Sequence, residues 1–174
     1  MASCMTISGI EGACGSFHGG IKAVSIIEYK AINSITDTVA GYVDAITYNN
    51  GYSGATYEFL QENSNWTQPP VGDGIVASIH WEPVVTLVFQ KMTKELRNEE
   101  MELSKSRVVI FITDNNDTVW LVGSDKGLRL SAGPGGQSGT ALDELNGETW
   151  TFTGRETIKA YTVDPDLLLT IPGV

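Results

Sequence analysis

Two histidines and two cysteines are all that these 174 residues offer of the side chains that most often ligate transition metals or serve as nucleophile and base. Cys4, Cys14 and His18 give at most three ligands, no fourth lies near, and the spacing matches no standard zinc motif. The expected reading is an N-terminal segment of small residues, its thiols free in a chain expected to fold in the cytoplasm that makes it. Lys and Arg are scarce as well, 11 against 21 Asp and Glu, for a formal net charge of −10. That balance excludes a surface that grips nucleic acid throughout, because the phosphate backbone is held by cations. It suits solubility, and equally a surface that DNA must pass without sticking. No apolar run reaches the length of a membrane span, and the N-terminus lacks the basic start and apolar stretch of a secretory leader.

Catalytic signatures are missing too. There is no Gly-x-Ser-x-Gly elbow and no recognisable Cys/His pattern. Gly133-Pro134-Gly135-Gly136-Gln137-Ser138-Gly139 has the glycines of a phosphate loop without its Lys-Ser/Thr pair, and is expected to be a mobile surface loop. Asp114-Asn115-Asn116-Asp117 lacks the downstream glutamate of a calcium loop and is expected to be a hairpin turn. His80, beside Trp81 in an apolar stretch, reads as a satisfied core or interface histidine. Carboxylates are plentiful but scattered, and no acid pair stands out. No catalytic residue, metal or cofactor is therefore expected.

What the chain does contain is strand after strand between turn signals. Residues 107–113, 118–123, 127–131 and 148–153 are β-type runs; Val109, Phe111, Val119 and Leu121 alternate with other residues, as on a strand with one buried face. Upstream, 22–30, 38–48 and 56–61 read as strands, with a turn at Asn49-Asn50-Gly51. Residues 63–74, with Pro69-Pro70 and two glycines, read as a loop or hairpin tip, in which Trp66 either folds back over the edge of its own core, the commoner case, or serves as a binding anchor. Pro83 divides the longest apolar stretch, since proline cannot donate to a central ladder. After it, Val85, Leu87 and Phe89 face one way and Val84, Thr86 and Val88 the other, a strand covered on both sides by its own fold or by a neighbouring subunit.

One helix is predicted, over 91–106, with Met92, Leu96 and Leu103 on its apolar stripe and Thr93 as its cap. Such a narrow stripe suits a helix laid on the flank of a β-sandwich. The fold class is thus mainly antiparallel β, a sandwich or barrel with one flanking helix. Residues 1–20 form a glycine-rich arm and 21–174 one domain.

The C-terminal half carries a recurring pattern: Trp120-Leu121-Val122-Gly123, Gly127-Leu128, Ser138 to Ala141, Asn146-Gly147, Thr151-Phe152, Gly154 and Glu156. With Cys14, Gly19-Gly20 and the strand and helix after Pro83, it resembles a tail tube-like family of virion structural proteins of Bacteroidetes phages and prophages. The resemblance implies a tail-tube-like sandwich that self-assembles without a cofactor into rings, expected to be hexameric. Those rings would stack into a channel that conducts the genome without binding it specifically. Its partners would be copies of itself and other tail proteins, with no membrane, and its place the virion. A tail terminator, head–tail connector or baseplate component would share the fold. A different class, a carbohydrate-binding sandwich, would need two or three of Trp66, Trp81, Trp120 and Trp150 on one exposed face.

Overall fold

Five consecutive buried residues, Val108 to Ile112, set the architecture. Neighbouring side chains on a strand point to opposite faces, so burying all five requires cover on both. The computed structural model describes residues 18–59, 63–73, 78–141 and 144–174. In chain order its strands are β1 (Ile21–Glu28), β2 (Ile32–Thr36), β3 (Tyr42–Val43), β4 (Ala45–Tyr48), β5 (Ala55–Glu58), β6 (Asn65–Thr67) and β7 (Pro70–Val71). There follow β8 (His80–Trp81), β9 (Val84–Phe89), β10 (Val108–Asp114), β11 (Val119–Val122), β12 (Arg129–Gln137), β13 (Gly147–Thr153) and β14 (Tyr161–Val163). Helix α1 (Lys94–Leu103) connects β9 to β10.

The protein is mainly β, with antiparallel sheets and one α-helix among the described residues. A six-stranded sheet, ordered β3-β14-β11-β10-β1-β5, packs on a four-stranded sheet, ordered β12-β13-β9-β6. Val108, Ile110 and Ile112 point into the space between them, joined by Val24 and Ile26 of β1, Val85 and Leu87 of β9, and Trp150 and Phe152 of β13. Val109 and Phe111 point the other way, with Val119 and Leu121 of β11. That second face is roofed by the β2–β4 hairpin, through Ile46, and by the C-terminal 3-10 turn at Pro165–Thr170 with Ile171. Among the described residues both sheets are open rather than closed into the barrel that is the alternative expectation.

Leu96 and Leu103 of α1 pack against the inter-sheet core, and the Thr93 hydroxyl accepts from the Leu96 N–H at 3.2 Å, so cap and stripe lie where the spacing put them. The helix is shorter than predicted, and Met92, ahead of its first turn, stays exposed. The turn at Asp114–Asp117 forms as expected, with Asp117 at φ 60° and the Asp114 carboxylate accepting from the N–H groups of Asn116 and Thr118.

Several expectations need correction. Residues 38–48 are not one strand: β3 and β4 separate there, and β4 pairs with β2, which was not foreseen. The glycine-rich run from Gly133 is not a free loop. Most of it belongs to β12, paired to β13 through Gly135, Gly136 and Gln137, with an irregularity between Ser131 and Gly135 that accommodates Pro134. The segment 63–74 is likewise not all loop, since it contains β6 and β7. β10 is covered on both faces within the fold, whereas β9 buries Val85 and Leu87 and leaves its other face half-exposed, the second of the two arrangements expected for it as far as its own fold goes. Most of the predicted arm, including Cys4 and Cys14, lies outside the described residues. His18 to Gly20 are tied to the β10–β11 turn through Asn115 and Asn116.

Phe111→Ala should open a void behind β10 and cost about 3–5 kcal/mol in urea unfolding. Leu96→Asp should cost less than Phe111→Ala, because α1 has no fully buried residue and the new carboxylate can turn toward water.

Candidate functional site

The glycines and glutamate that close the recurring C-terminal pattern meet around one turn. Gly123 (φ 86°) and Gly127 (φ 75°) adopt left-handed backbone that side chains disfavour, and a Cβ on Gly127 would lie 3.1 Å from the Tyr29 ring. Leu128 is buried beneath, and a Cβ on Gly154 would lie 2.7 Å from its side chain. Glu156, 1% exposed, accepts from the backbone N–H groups of Asp125 (2.7 Å) and Lys126 (3.1 Å). Asp125 reciprocates by accepting from the N–H and hydroxyl of Thr157, at 3.0 and 2.7 Å. The backbone of Glu156 exchanges two 2.8 Å hydrogen bonds with Trp81. This is a clamp that fixes the β11–β12 turn to the chain after β13. Its residues hold one another. Burial pushes the Glu156 carboxyl above its ordinary range, against the pull of the two N–H donors.

A second polar cluster lies under α1, where sequence reasoning saw only a solvated helix face. Glu100 of α1 lies beside Glu148, which β13 holds buried, close enough for one carboxyl to share its proton with the other. That sharing, then burial and repulsion from the same carboxylate, raises the Glu100 pKa. Glu99 accepts from the Tyr57 hydroxyl; burial first, then that bond, raises the tyrosine pKa. Tyr57 and Glu99, with Glu28 and Glu102, border a groove of about 410 Å3 between α1 and strands β1 and β5. The groove offers acceptors to a donor-rich group. The only sequence signal was the crowding of Glu95, Glu99, Glu100 and Glu102 on ten helical residues.

The four tryptophans do not share an exposed face. Trp150 is wholly buried, 4.5 Å from the Phe89 ring centroid, and Trp66 pairs with Trp120 at 5.4 Å against the core. Trp66 therefore covers its own core, as expected. Trp81 is half-buried beneath the Lys159 ammonium. The half-buried His80 contacts Glu82 at 3.2 Å, and Glu82 also accepts from Arg155 at 2.9 Å. A smaller groove of about 260 Å3, at the start of β10, is lined by Lys30, Lys105, Arg107 and Arg129 with Glu28.

No family model matches the chain, and neither a curated protein nor a solved structure matches it.

The raised carboxyls fix the sign of a pH effect. A group whose pKa is higher folded than unfolded binds more protons in the native state, so stability falls as pH rises through that interval. Acidification from about pH 7 toward the ordinary carboxylate range should therefore stabilise the protein through Glu156 and Glu100. Below that range stability should decline, as Asp44 and Asp125, whose pKa values are lowered mainly by hydrogen bonds from Thr38 and Thr157, take up protons. Melting temperature against pH should show this maximum, and Glu100→Gln with Glu156→Gln should flatten its neutral limb.

Proposed function

We propose that the chain is a structural subunit of a bacteriophage tail tube. Copies join edge to edge into a ring, expected to be hexameric, and stacked rings enclose the channel that conducts the genome. The observation that carries this reading is the open sandwich. Among the described residues the four-stranded sheet ends on the nine-residue β12, and the six-stranded sheet on β5, each paired on one side only. An unpaired edge is a template for another strand, so native proteins either blunt it or use it. An interface that joins different edges of successive copies is heterologous and closes into a ring when its rotation allows.

The resemblance carried by Trp120 to Glu156 supports the same reading. So does the acidic composition: DNA moves through a channel whose wall repels phosphate and stays hydrated. A role without cofactor chemistry follows from the same construction, in which backbone pairing and apolar burial make the interface.

Purified protein in chelator-containing buffer should form rings or tubes visible by negative-stain microscopy. Persistent monomer at high concentration would overturn the proposal. Assembled tubes should hold no duplex DNA at physiological salt. Binding that weakens steeply with salt would instead indicate a connector that grips DNA.

A further inference from the structure

The six-stranded sheet is electrically polar along its strands. At one end, Arg107 precedes β10, Lys30 follows β1, Lys105 follows α1, and Arg129 opens β12 beside the Val108–Leu128 bridge. These four cations, out of 11 in a chain of net charge −10, line one groove of about 260 Å3. Glu28 is the one carboxylate in its lining. Other acids stand near. Glu102, which borders the adjoining groove with Glu28 and Glu99, pairs with Lys105 at 2.7 Å and offsets that cation. Asp125 accepts from Thr157 and Glu156 is buried in its clamp, so Lys30, Arg107 and Arg129 carry the positive charge of the groove. Arg107 lies over the Tyr29 ring at 4.7 Å and donates to the Lys126 carbonyl. Lys30 and Arg129, both exposed, belong to none of the ion pairs among the described residues.

The opposite end is acidic, and strand registers place it there. β10 finishes at Asp114; Thr113 pairs with Val119, Val119 with Val163, and Val163 with Val43. Asp164 and Asp44, the next residues after Val163 and Val43, therefore emerge at the end of the sheet away from Arg107. The Asp44 N–H donates to Thr36, which brings Asp37 to the same end, and Asp166 follows Asp164 in the C-terminal turn. Lys22 stands at this end, and it is held by Asp117 at 2.7 Å. Seven residues of β10 separate the two ends, roughly 20 Å at strand rise.

We propose that the basic groove receives the acidic strand end of a second copy, so that copies associate head to tail along the strand direction. The two surfaces are complementary in sign and lie at opposite poles of one sheet, so each copy offers a donor end and an acceptor end. Repetition without rotation gives an open stack and not a closed pair. The inference names the surfaces through which rings of the proposed tube stack, and for the rings it rests on that reading. A second copy is the favoured occupant because the chain itself supplies the matching acids; nucleic-acid phosphate is the rival.

The test uses two charge-reversed proteins chosen from side chains that hold nothing else in the fold: Lys30→Glu with Arg129→Glu, and Asp37→Lys with Asp166→Lys. Sedimentation velocity and microscopy of the full chain should show axial association of the parent weakening with salt. Each reversed protein alone should associate at least about tenfold more weakly, with rings intact but unstacked. Mixing the two should restore alternating stacks, since each end then meets its opposite. Unchanged stacking in both variants, or a mixture no better than its components, would overturn the inference. So would Lys30→Glu with Arg129→Glu losing binding to a short single-stranded oligonucleotide while stacking as before. Salt-sensitive head-to-tail chains without rings would support the stacking surfaces and sink the tube reading, whereas a monomer at all concentrations would sink both.

Discussion

The double cover over β10 is the constraint on which the rest depends. A strand buried on both faces has no side that can turn to water, so its two neighbours and two roofs must all be in place before it is stable. The inter-sheet core supplies one roof through Trp150, Phe152, Val85 and Leu87; the β2–β4 hairpin and the C-terminal turn supply the other through Ile46 and Ile171. Distant parts of the chain are thereby made to meet at one strand. The cost is a strand interior that tolerates little change, and the benefit is a rigid sheet that can carry polar groups at its ends without distortion.

The clamp at Glu156 belongs to the same logic. The turn between β11 and β12 must carry the chain from the middle of one sheet to the edge of the other, and two glycines with positive φ make the bend. Its exposed N–H groups would be costly to bury unpaired. Glu156 satisfies two of them, and Asp125 answers by holding Thr157. The most distinctive residues of the C-terminal half are therefore explained by the geometry of crossing between sheets, with no ligand required.

Much of this was legible in the sequence because it follows from local periodicity. The runs around β1, β9, β10, β11 and β13, the Thr93 cap and the aspartate turn are all within reach of spacing and turn chemistry. What escaped was decided by tertiary partners. Val108, Ile110 and Ile112 were passed over as the outer face, because alternation cannot distinguish a solvent-facing apolar residue from one under a second roof. The glycine-rich second half of β12 reads as a loop because its glycines and Pro134 have poor strand propensity, whereas 129–131 falls in an expected strand; pairing with β13 outweighs the propensity. The Glu100–Glu148 contact joins residues far apart in the chain, and no local pattern announces it.

Net charge is a poor guide to how such a molecule meets its own copies. At physiological ionic strength the Debye length is about 8 Å, shorter than the roughly 20 Å between the ends of β10. Repulsion between two chains of charge −10 is thus screened over most of their surfaces, and only groups brought close together retain their full effect. Lys30 and Arg129 at one pole, with Asp37, Asp164 and Asp166 at the other, are the groups that axial contact would bring together. On the proposed stacking, a chain that looks uniformly acidic by composition would attract its copies along one axis. That anisotropy favours a directed stack over an amorphous aggregate, and it arises because a doubly covered strand separates its two ends by a fixed length.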